Sequence, residues 1–297
     1  MFEGAKLNLF DLDTKNEKLL SFERLSNYPD ITHPTYPGKV RKMIYFKMMQ
    51  SSFFAQNGGK FSSFLLAQLF SRKRAEMYNI WKNRGMASAS SLGVQLPPLY
   101  PQIAINEIFG DRIYDFAGFI PAKDSSVIDV GAQYGDFSVM CSKVYGVREV
   151  NAFEPIEENL AFFKQFAHIN NLDNIKIHNV ALSDINGREV MNFQNNMLGL
   201  GTGGDSTQMI ELRRLDDYNL KCDLLKIDVE GFEIKVLRGA MHTILDNMPR
   251  IIIEVHSKML KKFTMQVMNH IGYRLVKYEK AAFMNGNIEN IFLEPVN

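Results

Sequence analysis

The chain has 297 residues, 46% of them hydrophobic and 23% charged, with a formal net charge of +1. That leaves room for one large domain with a smaller companion, in a composition ordinary for a globular protein. No run approaches the roughly 18 uninterrupted apolar residues of a membrane span. The opening Met-Phe-Glu-Gly-Ala-Lys has no secretory-signal character. The two cysteines, Cys141 and Cys222, exclude a disulfide framework and suit a reducing cytoplasm.

Residues 1–95 show no strand–helix alternation and read as a mainly helical accessory region. Tyr28-Pro-Asp-Ile-Thr-His-Pro-Thr-Tyr-Pro-Gly38 is a turn-rich connector, and helices are expected near 39–54 and 61–84, separated by Asn57-Gly-Gly59. Between Lys39 and Arg84 stand ten Lys and Arg against one acid, Glu76, together with nine aromatic residues. The remainder of the chain is therefore net acidic. Ser88 to Ser91, Pro97-Pro98 and Pro101 mark a boundary, after which 96–297 reads as a second, catalytic domain.

From Ser126 onward strands and helices alternate. Ser126–Val130 is a short apolar strand, followed by a helix with Phe137, Met140, Cys141 and Val144 inward. Cys141 on that face is a small buried hydrophobe. Glu149–Phe153 is the second strand, and Pro155, Glu157 and Glu158 suit the start of the next helix. Ile175–Ala181 is the third strand. An irregular stretch with a Gly-rich loop, Leu198-Gly-Leu-Gly-Thr-Gly-Gly204, precedes a fourth at Asp223–Asp228.

Phe232, Val236, Ala240 and Ile244 define the next helix. Arg250–His256 is the fifth strand, and Ser257 caps a helix with Leu260, Phe263, Val267 and Ile271 inward. Tyr273–Tyr278 and Ile288–Leu293, joined around Asn285-Gly-Asn287, form a terminal hairpin. The pattern is α/β: a mostly parallel seven-stranded sheet with a C-terminal antiparallel hairpin. Ligands of such open sheets bind at the carboxyl ends of the strands.

The first strand runs into Asp129-Val-Gly-Ala-Gln-Tyr-Gly135. Gly131 lets backbone approach a ligand, the helix starting near Gly135 offers amides to an anion, and Asp129 can accept from an ammonium. The pair of charges fits the zwitterionic end of S-adenosylmethionine. The glycine spacing departs from the Gly-x-Gly-x-x-Gly of dinucleotide loops. Glu154, closing the second strand, is placed to accept ribose hydroxyls; the bland alternative is a helix-start carboxylate.

In Lys226-Ile-Asp-Val-Glu-Gly231, alternation puts Lys226 and Asp228 on one face with Glu230 beyond. Ionised groups in an apolar strand cost free energy unless paired or used, so this is either a structural pair or a site. Glu254 and His256 repeat the pattern on strand five, with His256 a candidate base oriented by Glu254. The clustered acids can hold a divalent metal through oxygen, but no spacing signature calls for one.

These segments resemble the FkbM family of methyltransferases in five ordered motifs: Val127 to Gly135, Ala152 to Pro155, Asn179 to Asp184, Leu224 to Glu233 and Ile252 to His256. The similarity runs from about Ile103 to the C-terminus. It implies a class I, Rossmann-like methyltransferase fold, S-adenosyl-L-methionine as donor with S-adenosyl-L-homocysteine as product, and O-methylation of a hydroxyl on a sugar, glycan or secondary metabolite. By position, Gly131 and Ala132 would line the methionine part; Asp129, Gln133, Tyr134 and Gly135 of the same loop are further cofactor-binding candidates. Glu154 and Pro155 would lie at the ribose, and Ala181, Leu182 and Ser183 near the adenine. Asp228 and Glu230 would face the reaction centre, and Lys226, Glu254 and His256 are the further catalytic candidates beside them. Gln133-Tyr134 departs from the family's usual Asn and small apolar residue.

Two other function classes stay open: a nucleic-acid (RNA) methyltransferase gripping phosphates with residues 39–84, and a non-catalytic nucleotide-binding protein. An NAD-dependent dehydrogenase is disfavoured by the glycine spacing. The basic, aromatic segment suits a lid, a homo-oligomer arm, or contact with a membrane or lipid-linked glycan.

Overall fold

A computed structural model describes residues 84–98, 105–193, 206–280 and 289–296. The expected helices as far as residue 83, the Gly-rich loop and the Asn285–Asn287 turn lie outside the described residues. The first described segment is helical, 84–91, and continues through Ser88–Ser91, which read as a boundary in the sequence. Ala89 and Val94 are buried in the same apolar cluster as Ile105, Phe109 and Phe166. The amide of Gln95 donates to Asn170 Oδ1 (2.8 Å), and Asn170 Nδ2 returns a bond to the Gln95 carbonyl (2.8 Å).

The strands are β1 (Ser126–Val130), β2 (Glu149–Phe153), β3 (Ile175–His178), β4 (Ala181–Leu182), β5 (Gly187–Phe193), β6 (Ser206–Arg213), β7 (Leu224–Ile227), β8 (Arg250–Val255), β9 (Tyr273–Lys280) and β10 (Glu289–Pro295). Seven form one sheet in the order β3-β2-β1-β7-β8-β10-β9. β10 runs antiparallel to both its neighbours, and the other pairings are parallel. This is the expected seven-stranded class I architecture with its terminal hairpin. β1 and β7 are buried along their whole length, as a sheet covered on both faces requires.

Three helical expectations are refined. α1 (Asp136–Val139) runs on into π-type turns at Met140–Tyr145. α2 (Glu157–Ile169) starts two residues after Pro155, which lies outside the helix. The single helix expected after β7 is two, α3 (Glu233–Gly239) and α4 (Met241–Asn247), broken at Ala240. Val236, Ala240 and Ile244 are all fully buried, so one apolar stripe spans the break. At Gly239 a Cβ would stand 1.9 Å from the Ser183 carbonyl, which fixes how closely α3 can pack. α5 (Lys258–His270) begins as expected, the Ser257 side chain accepting from the Leu260 amide at 3.1 Å.

The third strand ends at His178, short of Ala181. Ala181 and Leu182 instead open a second sheet, β4-β6-β5, where an irregular stretch was expected. Its inner face is narrow: Ile210 and Leu212 pack with Ile156 as a small separate core.

Candidate active site

Register sets the site. β1 and β7 pair Asp129 with Lys226, and β7 and β8 pair Lys226 with Ile252, so these three stand side by side on one face of the sheet. Two residues further along each strand, beyond the last paired positions, the same face carries Asp228 and Glu254. The edge therefore has a buried ionic row with an accessible acidic row above it.

The buried row is Asp129 and Lys226. Asp129 is fully buried; its Oδ2 accepts from Ser138 Oγ (2.7 Å) and its Oδ1 lies 3.3 Å from Lys226 Nζ. Lys226 Nζ also donates to the Gly131 carbonyl (3.0 Å) and stands 3.6 Å from Asp228 Oδ2. Burial favours the neutral amine, but the carboxylates of Asp129, Asp228 and Asp136 outweigh it and hold the Lys226 pKa above the ordinary lysine range. Asp129 thus braces the turn from beneath. The reading that it meets a ligand ammonium is corrected, because its oxygens face Ser138 and Lys226 and no surface remains.

The turn above it is held by backbone geometry. Gly131 has φ +75°, and a Cβ there would fall 1.8 Å from the Asp228 carbonyl oxygen. The amides of Gly131 and Ala132 both donate to the Phe153 carbonyl (3.0 and 3.1 Å). Gln133 also has positive φ (50°), and its amide donates to Glu154 Oε2 at 2.9 Å. Gly135 serves packing rather than a ligand: its amide donates to the Ala132 carbonyl, and a Cβ would enter the Phe163 ring at 2.0 Å. Of the motif, Gly131 and Gln133 keep accessible surface, whereas Ala132, Tyr134 and Gly135 are buried.

Glu154 is fully buried and accepts three bonds, from the Gln133 amide, the Ile156 amide (2.9 Å) and Asn159 Nδ2 (3.1 Å). Burial raises its pKa while these donors pull it back. It ties the β1 turn to the start of α2; Pro155 beside it is part-exposed. Ala181 keeps some surface, but Leu182 and Ser183 are buried, the Ser183 amide donating to the Arg213 carbonyl.

The upper row is different in kind. The side chains of Asp228, Glu230 and Glu254 are 26%, 19% and 15% accessible. Under them lies His256, at 1%. Its Nδ1 is 2.6 Å from Glu233 Oε1, and its Nε2 is 3.2 Å from both Glu230 Oε2 and Glu254 Oε1. Burial would favour the neutral ring, but the contacts to Glu230, Glu233 and Glu254 prevail and push the pKa well above the ordinary histidine value. Both ring nitrogens of His256 face carboxylates. The expectation that it acts as base is corrected: the three acids around the ring favour its keeping a proton rather than exchanging one with an acceptor. Asp228 has a pKa pushed up to about 6, by burial first and then by Glu254, with Lys226 and His256 opposing.

Two side chains that the sequence reading did not single out join this edge. Tyr114 places its hydroxyl 3.5 Å from Asp228 Oδ2 and its ring edge-on to Phe137. Glu107, on a π-type turn at Asn106–Asp111, has its pKa raised by burial and then by Glu254, Asp136 and Asp228. The only available signal was an acid set in an apolar run, Ile103-Ala-Ile-Asn-Glu-Ile-Phe109.

Residues 129–275 match the sequence profile of the methyltransferase FkbM domain. The chain is 28% identical over 178 residues to Methyltransferase 1 of Beauveria bassiana, covering 50% of this chain and 71% of that one. It is 25% identical over 193 residues to Methyltransferase sdnD of Sordaria araneosa, covering 52% and 74%. Among solved structures, Methyltransferase FkbM from Methylobacillus flagellatus aligns at 18% identity and a TM-score of 0.46, over 71% of this chain and 60% of that one.

Proposed function

From a chain that carries a methyltransferase FkbM domain at residues 129–275, we propose an S-adenosylmethionine-dependent O-methyltransferase acting on a hydroxyl of a sugar, glycan or secondary metabolite. One observation carries the reading: the β1 turn and the accessible acids touch, with Gly131 packed against the backbone of Asp228 so closely that no Cβ fits between them. A donor lying along the turn would bring its methyl group to the carboxylates of Asp228, Glu230 and Glu254. Those groups are acceptors, and they suit a partner that presents several hydroxyl donors.

Methyl transfer from a sulfonium is an in-line displacement. The acceptor oxygen forms a bond to the methyl carbon, the carbon–sulfur bond breaks onto sulfur, and the hydroxyl proton must leave. Asp228 takes that proton. It is the accessible carboxylate nearest the turn, and a pKa of about 6 leaves it mostly ionised at neutral pH. Lys226, 3.6 Å from Asp228, steadies its charge while holding the Gly131 carbonyl. His256 keeps the carboxylates of Glu230 and Glu254 together as a counter-ion. Glu154 acts on the ribose side through the turn it fixes, its own oxygens being buried and taken by Gln133, Ile156 and Asn159.

The test is calorimetry of the pure full chain with S-adenosylhomocysteine and with NAD, followed by mass spectrometry of hydroxylated acceptors for the gain of one methyl group. Binding of NAD in place of S-adenosylhomocysteine overturns the donor. Methylation of RNA and of no small acceptor overturns the acceptor class.

A further inference from the structure

The acceptor edge carries more negative charge than its cations balance. Glu230, Glu233 and Glu254 stand around His256 with Asp228 beside them, and Lys226 is shared with Asp129. Within this group, one ligand atom each from Asp228, Glu254 and His256 lies within 4.8 Å of the others. Metal–oxygen bonds of about 2.1 Å put octahedral neighbours about 3.0 Å apart and opposite ligands about 4.2 Å apart; His256 Nε2 and Glu254 Oε1, at 3.2 Å, already stand at the neighbour spacing, and Asp228 is the ligand that closes onto them.

A second observation concerns the histidine alone. Its Nδ1 is fixed 2.6 Å from Glu233 Oε1, and Glu233 is fully buried. The same oxygen also accepts from the Gly231 amide, while Oε2 is buried with no hydrogen-bond partner among the described residues. A carboxylate backing one ring nitrogen, so that the other points at a set of oxygens, is the outer-shell arrangement that metal-ligating histidines use. It sets the ring orientation and leaves Nε2 as the inward ligand atom.

We propose that Asp228, Glu254 and His256 Nε2 bind a divalent cation of the Mn²⁺/Mg²⁺ class, with Glu233 as the outer-shell partner of His256. One imidazole with two carboxylates suits such ions better than calcium, which takes six to eight oxygens. The cation occupies the position that a proton on Nε2 otherwise fills. Asp228 and Glu254 are the accessible members of the set, so the ion's open positions face the side from which an acceptor hydroxyl arrives. The inference shares the acceptor side of the proposed methyltransferase site but needs no donor to be tested.

The experiment is titration of the full chain with Mn²⁺, followed by electron paramagnetic resonance of the free ion and by broadening of the histidine ring signals in proton NMR. One Mn²⁺ per chain is expected, broadening His256 before the exposed His242. Glu254→Gln and Glu233→Gln should each weaken uptake, the latter by about 10- to 100-fold as for other outer-shell partners. Glu211→Gln, on β6, should not. No uptake at millimolar Mn²⁺ overturns the proposal, as does uptake that leaves His256 sharp; both readouts use the unmutated chain and do not depend on a variant folding. S-adenosylhomocysteine calorimetry on the same samples separates the two readings: donor binding without Mn²⁺ uptake sinks the cation site alone, and the reverse sinks the donor.

Discussion

The two halves of the cleft use acids in opposite ways. On the β1–β2 side Asp129 and Glu154 are wholly buried and spent on protein partners: Ser138 and Lys226 for one, Gln133, Ile156 and Asn159 for the other. On the β7–β8 side Asp228, Glu230 and Glu254 keep surface and crowd one another. Both sets lie at the same sheet edge, and both read in sequence as acids ending an apolar strand. What separates them is who supplies the hydrogen bonds. A carboxylate whose lone pairs are filled by backbone amides is a brace; one that faces other carboxylates is held at a cost and is available to a ligand.

The sharpest way to break this comparison is to remove the brace. Lys226→Met removes the cation beside the buried Asp129 carboxyl, and losing one member of a buried pair costs about 3–5 kcal/mol. Denaturant unfolding should show a loss of that size, together with weakened S-adenosylhomocysteine binding as the Gly131 carbonyl is released. A loss below 1 kcal/mol would mean that the buried row is not a brace.

Glu154→Ala comes next. Three donors lose their acceptor, two of them backbone amides, and a buried unsatisfied donor costs about 1–3 kcal/mol. Stability should fall by about 2–3 kcal/mol without any cofactor present, and donor affinity by roughly ten- to a hundred-fold. A variant that loses affinity at unchanged stability would make Glu154 a ribose ligand alone and remove the contrast between the two sides.

On the accessible side the sign reverses. The folded-state pKa of Asp228 is about 6, against an ordinary 3.8. As pH rises from about 4 to 6 the unfolded chain releases a proton that the folded chain keeps, so stability falls through that window and stays lower above it. Asp228→Asn has no such slope and should be more stable than the natural chain above pH 6, while kcat drops by about 10²–10⁴ as expected for loss of a general base. In the natural chain kcat should rise with pH through about 6. His256 titrates in a second window: its raised pKa stabilises the fold fully below about 6.5, and that stabilisation disappears as pH climbs through the folded value. Unfolding measured from pH 4 to 9 for both forms checks the signs; an Asn variant less stable at pH 8 would show that Asp228 is a brace as well.

How much of this was readable in the residues follows from burial. β1, β7 and β8 are apolar runs because both faces are covered, and each was found within a residue or two. The strand ends followed, and with them Lys226, Asp228, Glu254 and His256. The β4-β6-β5 sheet escaped because it buries so little: Ile210 and Leu212 are its inward pair, whereas Val190 and Met209 face solvent, so the alternation is weak and lies next to a Gly-rich loop. Glu107 and Tyr114 escaped because irregular backbone around 105–119 has no period to read. The role of His256 was missed for another reason. Glu233 lies on a helix rather than a strand, and nothing in the spacing of Glu230, Glu233 and Glu254 says that all three turn toward one ring.

The smallest effect tests the boundary between brace and site. Ser257 follows His256 directly, and its hydroxyl caps α5 by accepting from the Leu260 amide. Loss of such a cap costs about 1 kcal/mol. The cap acts on α5, whereas His256 is fixed from the other direction by Glu233 on α3 and by Glu230 and Glu254. Ser257→Ala should therefore lower stability by about 1 kcal/mol and leave kcat and its pH profile unchanged. The measurement is a pair: chemical unfolding for the cap, and the pH dependence of turnover for the ring. If the profile moves while stability does not, the orientation of His256 depends on the backbone at the start of α5 and not on the carboxylates around it. The acidic edge would then owe its geometry to the scaffold, in the same way as the β1–β2 side.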